Sequence, residues 1–353
     1  MKRIVLISIC AAFALTCAGA WWIWQDFVNR PAGTSNEATI YEVAPGLSFR
    51  AVAKDLEKKG LIRNAELFVI LAKIRGGTSR MKVGEYEIAK NARPSEVLSI
   101  LVSGKSIEHK ITIAEGLSIF EIADLFQEGA LCSREEFLKT VRDPEVVQAL
   151  LGEKQASLEG YLFPETYSYT KFTDYHEILH EMVAKFLEVY KTIEPQSHLQ
   201  GWDRHKIVTL ASIIEKETGA PQERPVISSV FHNRLEKKMM LQTDPTIIYG
   251  KAVQSGHIEI NITRADLSRP TAYNTYTFRG LPPGPIANPG REALLAAVQP
   301  AQSAYLYFVS HNDGTHQFSE DYKAHQKAVQ KFQLDPKARE GKSWRDLKKD
   351  ATH

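Results

Sequence analysis

One run of this 353-residue chain sets acid–base chemistry at the end of an apolar helix: Ala211-Ser212-Ile213-Ile214-Glu215-Lys216-Glu217-Thr218-Gly219. Asp203 is placed to cap that helix, whose apolar positions include Ile207, Leu210, Ala211 and Ile214. At about 100° per residue, Glu217 falls in line with Leu210 and Ile213, on the apolar side. Glu215 lies on the other flank beside Val208, and Lys216 points outward. Gly219 offers a C-cap, which leaves Glu217 in the last turn. Burial penalises a charged carboxylate, and a helix C-terminus is the wrong end for negative charge. Both raise the pKa, as a carboxylic acid needs if it is to stay protonated near neutral pH and act as a general acid. On this segment alone, an exposed helix-end glutamate is the simpler reading.

Three other stretches surround it with polar and aromatic side chains. Leu158-Glu159-Gly160-Tyr161-Leu162-Phe163-Pro164-Glu165-Thr166-Tyr167 sets aromatics between carboxylates. Val230-Phe231-His232-Asn233-Arg234-Leu235 precedes Leu241-Gln242-Thr243-Asp244-Pro245-Thr246. Tyr273-Asn274-Thr275-Tyr276 precedes the proline- and glycine-rich run from Gly280 to Gly290. Loops rich in Tyr, Asn and Gln and stiffened by Pro suit a sugar cleft, where rings stack on pyranose faces and amides bond hydroxyl and acetamido groups. Each loop taken singly is equally turn chemistry.

A second chemistry competes. His176-Glu177-Ile178-Leu179-His180 fits the zinc-protease pattern, with both histidines on one helical face. It lacks a third ligand at a familiar spacing, and Met182, Val183, Phe186 and Leu187 continue the helix with an apolar face to bury. Cys132 is the single cysteine outside the N-terminal stretch; one thiol builds neither a disulfide framework nor a metal cluster, and a structural role is expected.

These residues need elements to hold them. With 44 basic and 42 acidic residues the net charge is only +2, which points to neither nucleic acid nor an acidic tail. Lys2 and Arg3 precede an uncharged run, Ile4 to Trp24, whose 21 residues suffice to cross a bilayer. Trp21, Trp22 and Trp24 mark its outer end, and the positive flank sets residues 1–3 in the cytoplasm and the rest outside. A cleaved signal peptide would have a shorter apolar core ending in small residues, so an uncleaved anchor is expected. Residues 25–38, with Pro31 and Gly33, read as a linker.

A small unit at 39–105 follows. Tyr41-Glu42-Val43 reads as a strand, Ser48 caps a helix carrying Val52 and Leu56, a second helix spans Ala65 to Ile74, and Val83 to Ile88 alternates as a strand. Strand, helix, helix, strand is the order of a LysM module, which grips N-acetylated glycans; a plain spacer is the alternative. The turn Ala44-Pro45-Gly46-Leu47-Ser48 returns as Ala114-Glu115-Gly116-Leu117-Ser118, too few copies for a solenoid, which needs about three. Residues 106–335 mix helices and strands without regular βαβ alternation, which predicts an α+β domain, and 336–353 form a charged tail.

Over the segments Glu159–Tyr167, Ala211–Thr218, Leu241–Tyr249 and Tyr273–Gly290 the chain closely resembles the endolytic murein transglycosylases, the YceG-like family, and the resemblance extends along essentially its whole length. It implies an α+β protein with a transmembrane anchor, a LysM-like lobe and a catalytic domain facing the periplasm. It implies that the catalytic glutamate is the second of the Glu-Lys-Glu-Thr run, Glu217, and Glu217-Thr218 is similar to the Glu-Ser pair of other lytic transglycosylases. The implied reaction cuts the MurNAc–GlcNAc bond inside a strand by attack of the muramic acid's own 6-hydroxyl, leaving a 1,6-anhydro end. Gln242, Asn274 and Tyr276 are then expected to position the sugar and stabilise positive charge near C1, with Tyr161, Glu165, Asp244 and Asn233 as further substrate contacts. The implied partners are peptidoglycan strands and cell-wall synthases of the penicillin-binding class, with no cofactor, metal or nucleic acid. Three readings stand against it: a hydrolytic muramidase with Glu159, Glu165 or Asp244 as second carboxylate, a non-catalytic anchored glycan scaffold, and a zinc protease using His176 and His180.

Overall fold

The computed structural model describes residues 2–194, 199, 201–217 and 219–335; Thr218 and the charged tail at 336–353 lie outside the described residues. The architecture is mixed α+β, mostly helical, with strands confined to three two-stranded sheets. Two compact units divide the chain.

The first unit takes residues 1–110 with 168–173. Nothing breaks its opening helix before Pro31, so α1 (Lys2–Asn29) outruns the apolar stretch. Its Leu6–Asn29 portion is long and apolar enough to cross a membrane, with mean hydropathy 1.9. Trp21 and Trp22 are exposed, whereas Trp24, Phe27 and Val28 pack into the unit's core, with Phe27 only 2% exposed. Arg63 fastens this end by donating to the Asp26 carbonyl at 2.6 Å and pairing with its carboxylate at 2.9 Å.

Strands β1 (Ala38–Val43) and β2 (Gly84–Ala89) pair antiparallel with Tyr41 opposite Tyr86. Alternation turns Tyr41, Val43, Tyr86 and Ile88 inward against α2 (Phe49–Lys58), α3 (Ala65–Ile74) and α4 (Pro94–Ser103). The last helix adds a fifth element to the expected strand-helix-helix-strand order; Pro94 opens it and the Glu96 carboxylate accepts the Arg93 N–H at 2.7 Å.

A second sheet joins β3 (His109–Thr112) and β4 (Thr166–Tyr169). The second unit comprises residues 111–167 and the chain from 174 onward. Helices α5 (Ile119–Glu128), α6 (Arg134–Thr140) and α7 (Pro144–Leu151) precede β4 in sequence, and α8 (Tyr175–Ile193) follows it. The repeated turn is real in backbone terms: Gly46 and Gly116 have φ of 80° and 78°, and Ser48 and Ser118 each cap the next helix.

At the centre lies α9 (Arg204–Glu217), whose residues Ile207 to Ile214 are all buried. It is packed by α10 (Arg224–Glu236), α11 (Asp244–Ser255) and, beyond the short α12 (Arg264–Ser268), α13 (Arg291–Val298), where Ala293, Ala296 and Ala297 let the backbones approach; α8 in turn packs on α13. An antiparallel hairpin, β5 (Tyr307–Ser310) and β6 (His316–Ser319), then leads into α14 (Tyr322–Val329).

The histidine pair falls on the outer face of α8. His176 and His180 are exposed, and His176 bonds Asp174 through Nδ1 at 2.7 Å. Among the described residues, no three His, Cys, Asp or Glu side chains are grouped to hold a metal. The Cys132 thiol is pushed up to about 12 by burial and by the charge of Glu136, far from the thiolate a nucleophile needs.

Candidate active site

Asp203 caps α9 as its sequence position suggests, accepting from the Lys206 N–H at 2.8 Å. At the other end Glu217 reaches a cleft of about 380 Å³. Gly219 does not take the left-handed conformation of a C-cap. Instead, neighbouring side chains tie the last turn in place. Glu215, its side chain only 5% exposed, pairs with Arg224 at 2.8 Å and accepts the Gly290 N–H at 3.0 Å. Lys216 donates to the Gly116 carbonyl at 3.0 Å, so the second copy of the repeated turn holds the helix that carries Glu217.

The opposite wall is the turn before α11. Gln242 sits at φ 49°, in the left-handed region few non-glycine residues adopt. Hydrogen bonds from Gln242 N to the Thr275 carbonyl (3.2 Å) and from Thr243 N to Thr275 Oγ1 (3.1 Å) hold it there. Thr243 stands at the N-cap of α11 yet makes no cap bond, because its hydroxyl donates to Glu217 Oε1. With Oε1 taken by the threonine hydroxyl, Oε2 is the carboxyl oxygen left to carry a proton when the group is protonated. Asp244 opens α11 and accepts from the Tyr276 hydroxyl at 2.6 Å.

Burial is the largest influence on Glu217 and Asp244 adds a like charge; Thr243 and Arg234 pull the other way, and the carboxyl is pushed up to about 7. The same burial, with Asp244 beside it, holds the Tyr276 phenol well above its ordinary value, so it stays a donor. Arg234 is buried, with its Nε donating to the Leu306 carbonyl (2.7 Å) and its Nη1 to the Leu241 carbonyl (2.6 Å).

Four of the residues expected from sequence thus meet in one cleft: Glu217, Gln242, Asp244 and Tyr276. Four do not. Tyr161 is fully buried, edge-on to Phe186 at 5.1 Å, with its hydroxyl bonded to His205 at 3.1 Å. Glu165 is exposed just before β4, away from the cleft lining. Asn233 spends its amide on the carbonyls of Ser303 and Tyr305, both at 2.9 Å. Asn274 donates to the carbonyls of Asp266, Leu267 and Arg269 and accepts the Tyr276 N–H at 3.0 Å, so it props Tyr276 from behind. A buried amide finds carbonyls to bond before it finds a ligand. Glu159, a candidate second carboxylate, is equally occupied: it is 1% exposed and accepts from Ile119 N (3.0 Å) and Asn288 Nδ2 (3.0 Å), with its carboxyl pushed up to about 8 by burial.

The rest of the cleft comes from residues that sequence reasoning passed over: Arg234, Tyr307, Phe308, Tyr322 and His325. They belong to α10, the β5–β6 hairpin and α14. The aromatic run Tyr305-Leu306-Tyr307-Phe308 was the available signal.

With this geometry in hand, similarity to other proteins is informative. The YceG-like family profile matches residues 41–331. A Bacillus subtilis (strain 168) protein named endolytic murein transglycosylase is 31% identical over 333 residues, covering 89% of this chain and 90% of that protein. A protein of the same name from Streptococcus pneumoniae (strain ATCC BAA-255 / R6) is 28% identical over 339 residues, and the match spans 86% of this chain but 60% of the longer relative. The crystal structure of a yceG-like protein from Listeria monocytogenes matches with TM-score 0.57 at 34% identity, over 83% of this chain and all of that one. Profile, sequence and fold agree across most of the molecule: the chain belongs to the YceG-like family.

Proposed function

We propose that this protein is an endolytic murein transglycosylase that cuts the MurNAc–GlcNAc bond within peptidoglycan strands, with Glu217 as the acid and then the base. The observation that carries the reading is a carboxyl group raised to about 7 at the edge of a polar cleft, in a chain 31% identical to a protein of that name. Glu217 gives its Oε2 proton to the glycosidic oxygen as the C1–O bond breaks. The same sugar's 6-hydroxyl bonds to C1 and returns its proton to the carboxylate, so the enzyme ends as it began. Holding the nucleophile within the substrate replaces a second carboxylate with proximity. Gln242 and the Asp244–Tyr276 pair line the space where C1 gains positive charge, and Asp244's anion stabilises it.

Of the three carboxylates available to a hydrolase, only Asp244 lines the cleft, so it alone supports the hydrolytic alternative. Product mass decides. Cleavage of purified sacculi in heavy-oxygen water is expected to give 1,6-anhydro ends inside strands without label. Labelled reducing ends, one water heavier, would make the protein a muramidase.

The same reading takes α1 as a single membrane span with residues 1–3 in the cytoplasm and the remainder outside, supported by Lys2 and Arg3 before the apolar run and by exposed Trp21 and Trp22 at its outer end. A reporter fused after His353 is expected to work only in an exported form; activity of a strictly cytoplasmic reporter there rejects the orientation. Residues 39–105 are read as a LysM-like lobe, on the order of β1, α2, α3 and β2, and 106–335 as the catalytic domain. A membrane-held cutter would meet strands near the synthases that extend them.

A further inference from the structure

The C-terminal wall of the cleft is an ordered group of rings. Tyr307, at the start of β5, has His325 stacked on it at 5.1 Å and 22°, and the Arg234 guanidinium lies over its ring at 5.4 Å. Its faces are engaged. Tyr322, the first residue of α14, is different. Its contacts with Tyr307 (5.8 Å, 54°) and His325 (6.3 Å, 39°) are tilted, not stacked, and 59% of its surface is exposed. Asp321 fixes the helix start beneath it by accepting the Ala324 N–H at 2.8 Å. A large ring left open, in a cleft that Glu217, Arg234, Gln242 and Asp244 line together with the rings of Tyr276, Tyr307, Phe308 and His325, gives an apolar face within reach of polar groups. Pyranose rings have the matching character, with C–H groups on their faces and hydroxyls at their edges. His325 adds no second charge beside Arg234: burial and Arg234 lower its pKa, and its buried Nδ1 has no partner.

We propose that Tyr322 is the stacking platform for an N-acetylated pyranose bound beside Glu217, held in place by the Arg234–Tyr307–His325 column. This rests on the glycan reading of the cleft. The platform acts on binding, so its loss separates KM from kcat. Tyr322→Ala is expected to raise KM for glycan strands about three- to tenfold, the size of one lost aromatic contact. The alkaline limb of the pH profile stays where Glu217 sets it, and the melting temperature is unmoved because the ring is exposed. Tyr322→Phe and Tyr322→Trp restore KM.

Binding of peptide-free glycan strands to the full chain carrying Glu217→Gln tests the platform without turnover. Weaker binding on adding Tyr322→Ala, recovered with Trp, supports it. Binding indifferent to Tyr322→Ala overturns the platform alone. Absence of any glycan binding by Glu217→Gln itself overturns the glycan reading, and the platform with it.

Discussion

Glu217→Gln is expected to lower glycan cleavage by on the order of 10²–10⁴-fold while the protein stays folded. The replacement is nearly isosteric, and the amide can still accept from Thr243, so the cleft keeps its shape but loses its proton. The pH dependence follows from the same group. In the proposed reaction catalysis begins from protonated Glu217, and that form is lost as pH rises through about 7. The parent's rate should therefore decline above pH 7. Thr243→Val removes the bond that favours the ionised form, so it should move that decline to higher pH.

Stability runs the other way. Folded Glu217 titrates near 7 against an ordinary value of 4.5. Between those values the unfolded chain has released a proton that the folded chain still holds, so this residue costs stability as pH rises through that window, and fully above it. Glu217→Gln removes the cost. The variant should melt at or above the parent at pH 8 and level with it at pH 4. Full cleavage by Glu217→Gln, with loss in Glu215→Gln, would reassign the acid.

Glu215→Gln is expected to do the reverse: to leave the chemistry largely intact and weaken the fold by about 3–5 kcal/mol, the cost of stranding one member of a buried ion pair. Arg224 and Glu215 have side chains only 10% and 5% exposed, and Glu115, at 3.4 Å from Arg224, is a poor substitute on the solvent side. A fall in melting temperature on the order of 10 °C should result. Measured well below that temperature, the pH limb should coincide with the parent's. An unchanged melting temperature would show that the pair contributes nothing to stability.

How far the site could be read from sequence depends on the range of the interactions that make it. Mixed α+β character, and the first unit's helices with their caps at Ser48 and Asn64, follow from patterns a few residues long. Glu217 is of that kind too, since helical phase alone sets it beside Leu210 and Ile213. Asn233, Asn274 and Tyr161 were read as sugar contacts because an amide or phenol in a loop has the right chemistry. Whether that chemistry is already consumed, as by the carbonyls of Asp266 and Arg269, is a long-range fact. Tyr307, Tyr322 and His325 were missed for the complementary reason. Apart from the aromatic run around Tyr307 no local motif sets them apart, and only the hairpin and α14 bring them to a helix end some 90 to 108 residues earlier in the chain. The pairing of Glu215 with Arg224, within one helix-turn-helix, was nearer to hand; it was missed because helical phase assigned Glu215 a flank without a partner.

The helix bearing the apolar span does not end before the first unit begins. Phe27 is inside that unit's core and Asp26 is clasped by Arg63, so there is no slack cord between lipid and protein. Seated in a bilayer, the first unit would travel at a single altitude, sliding laterally and spinning about the membrane normal with hardly any reach. Its encounters would become a search in two dimensions, set by diffusion in the lipid and not by the length of a leash.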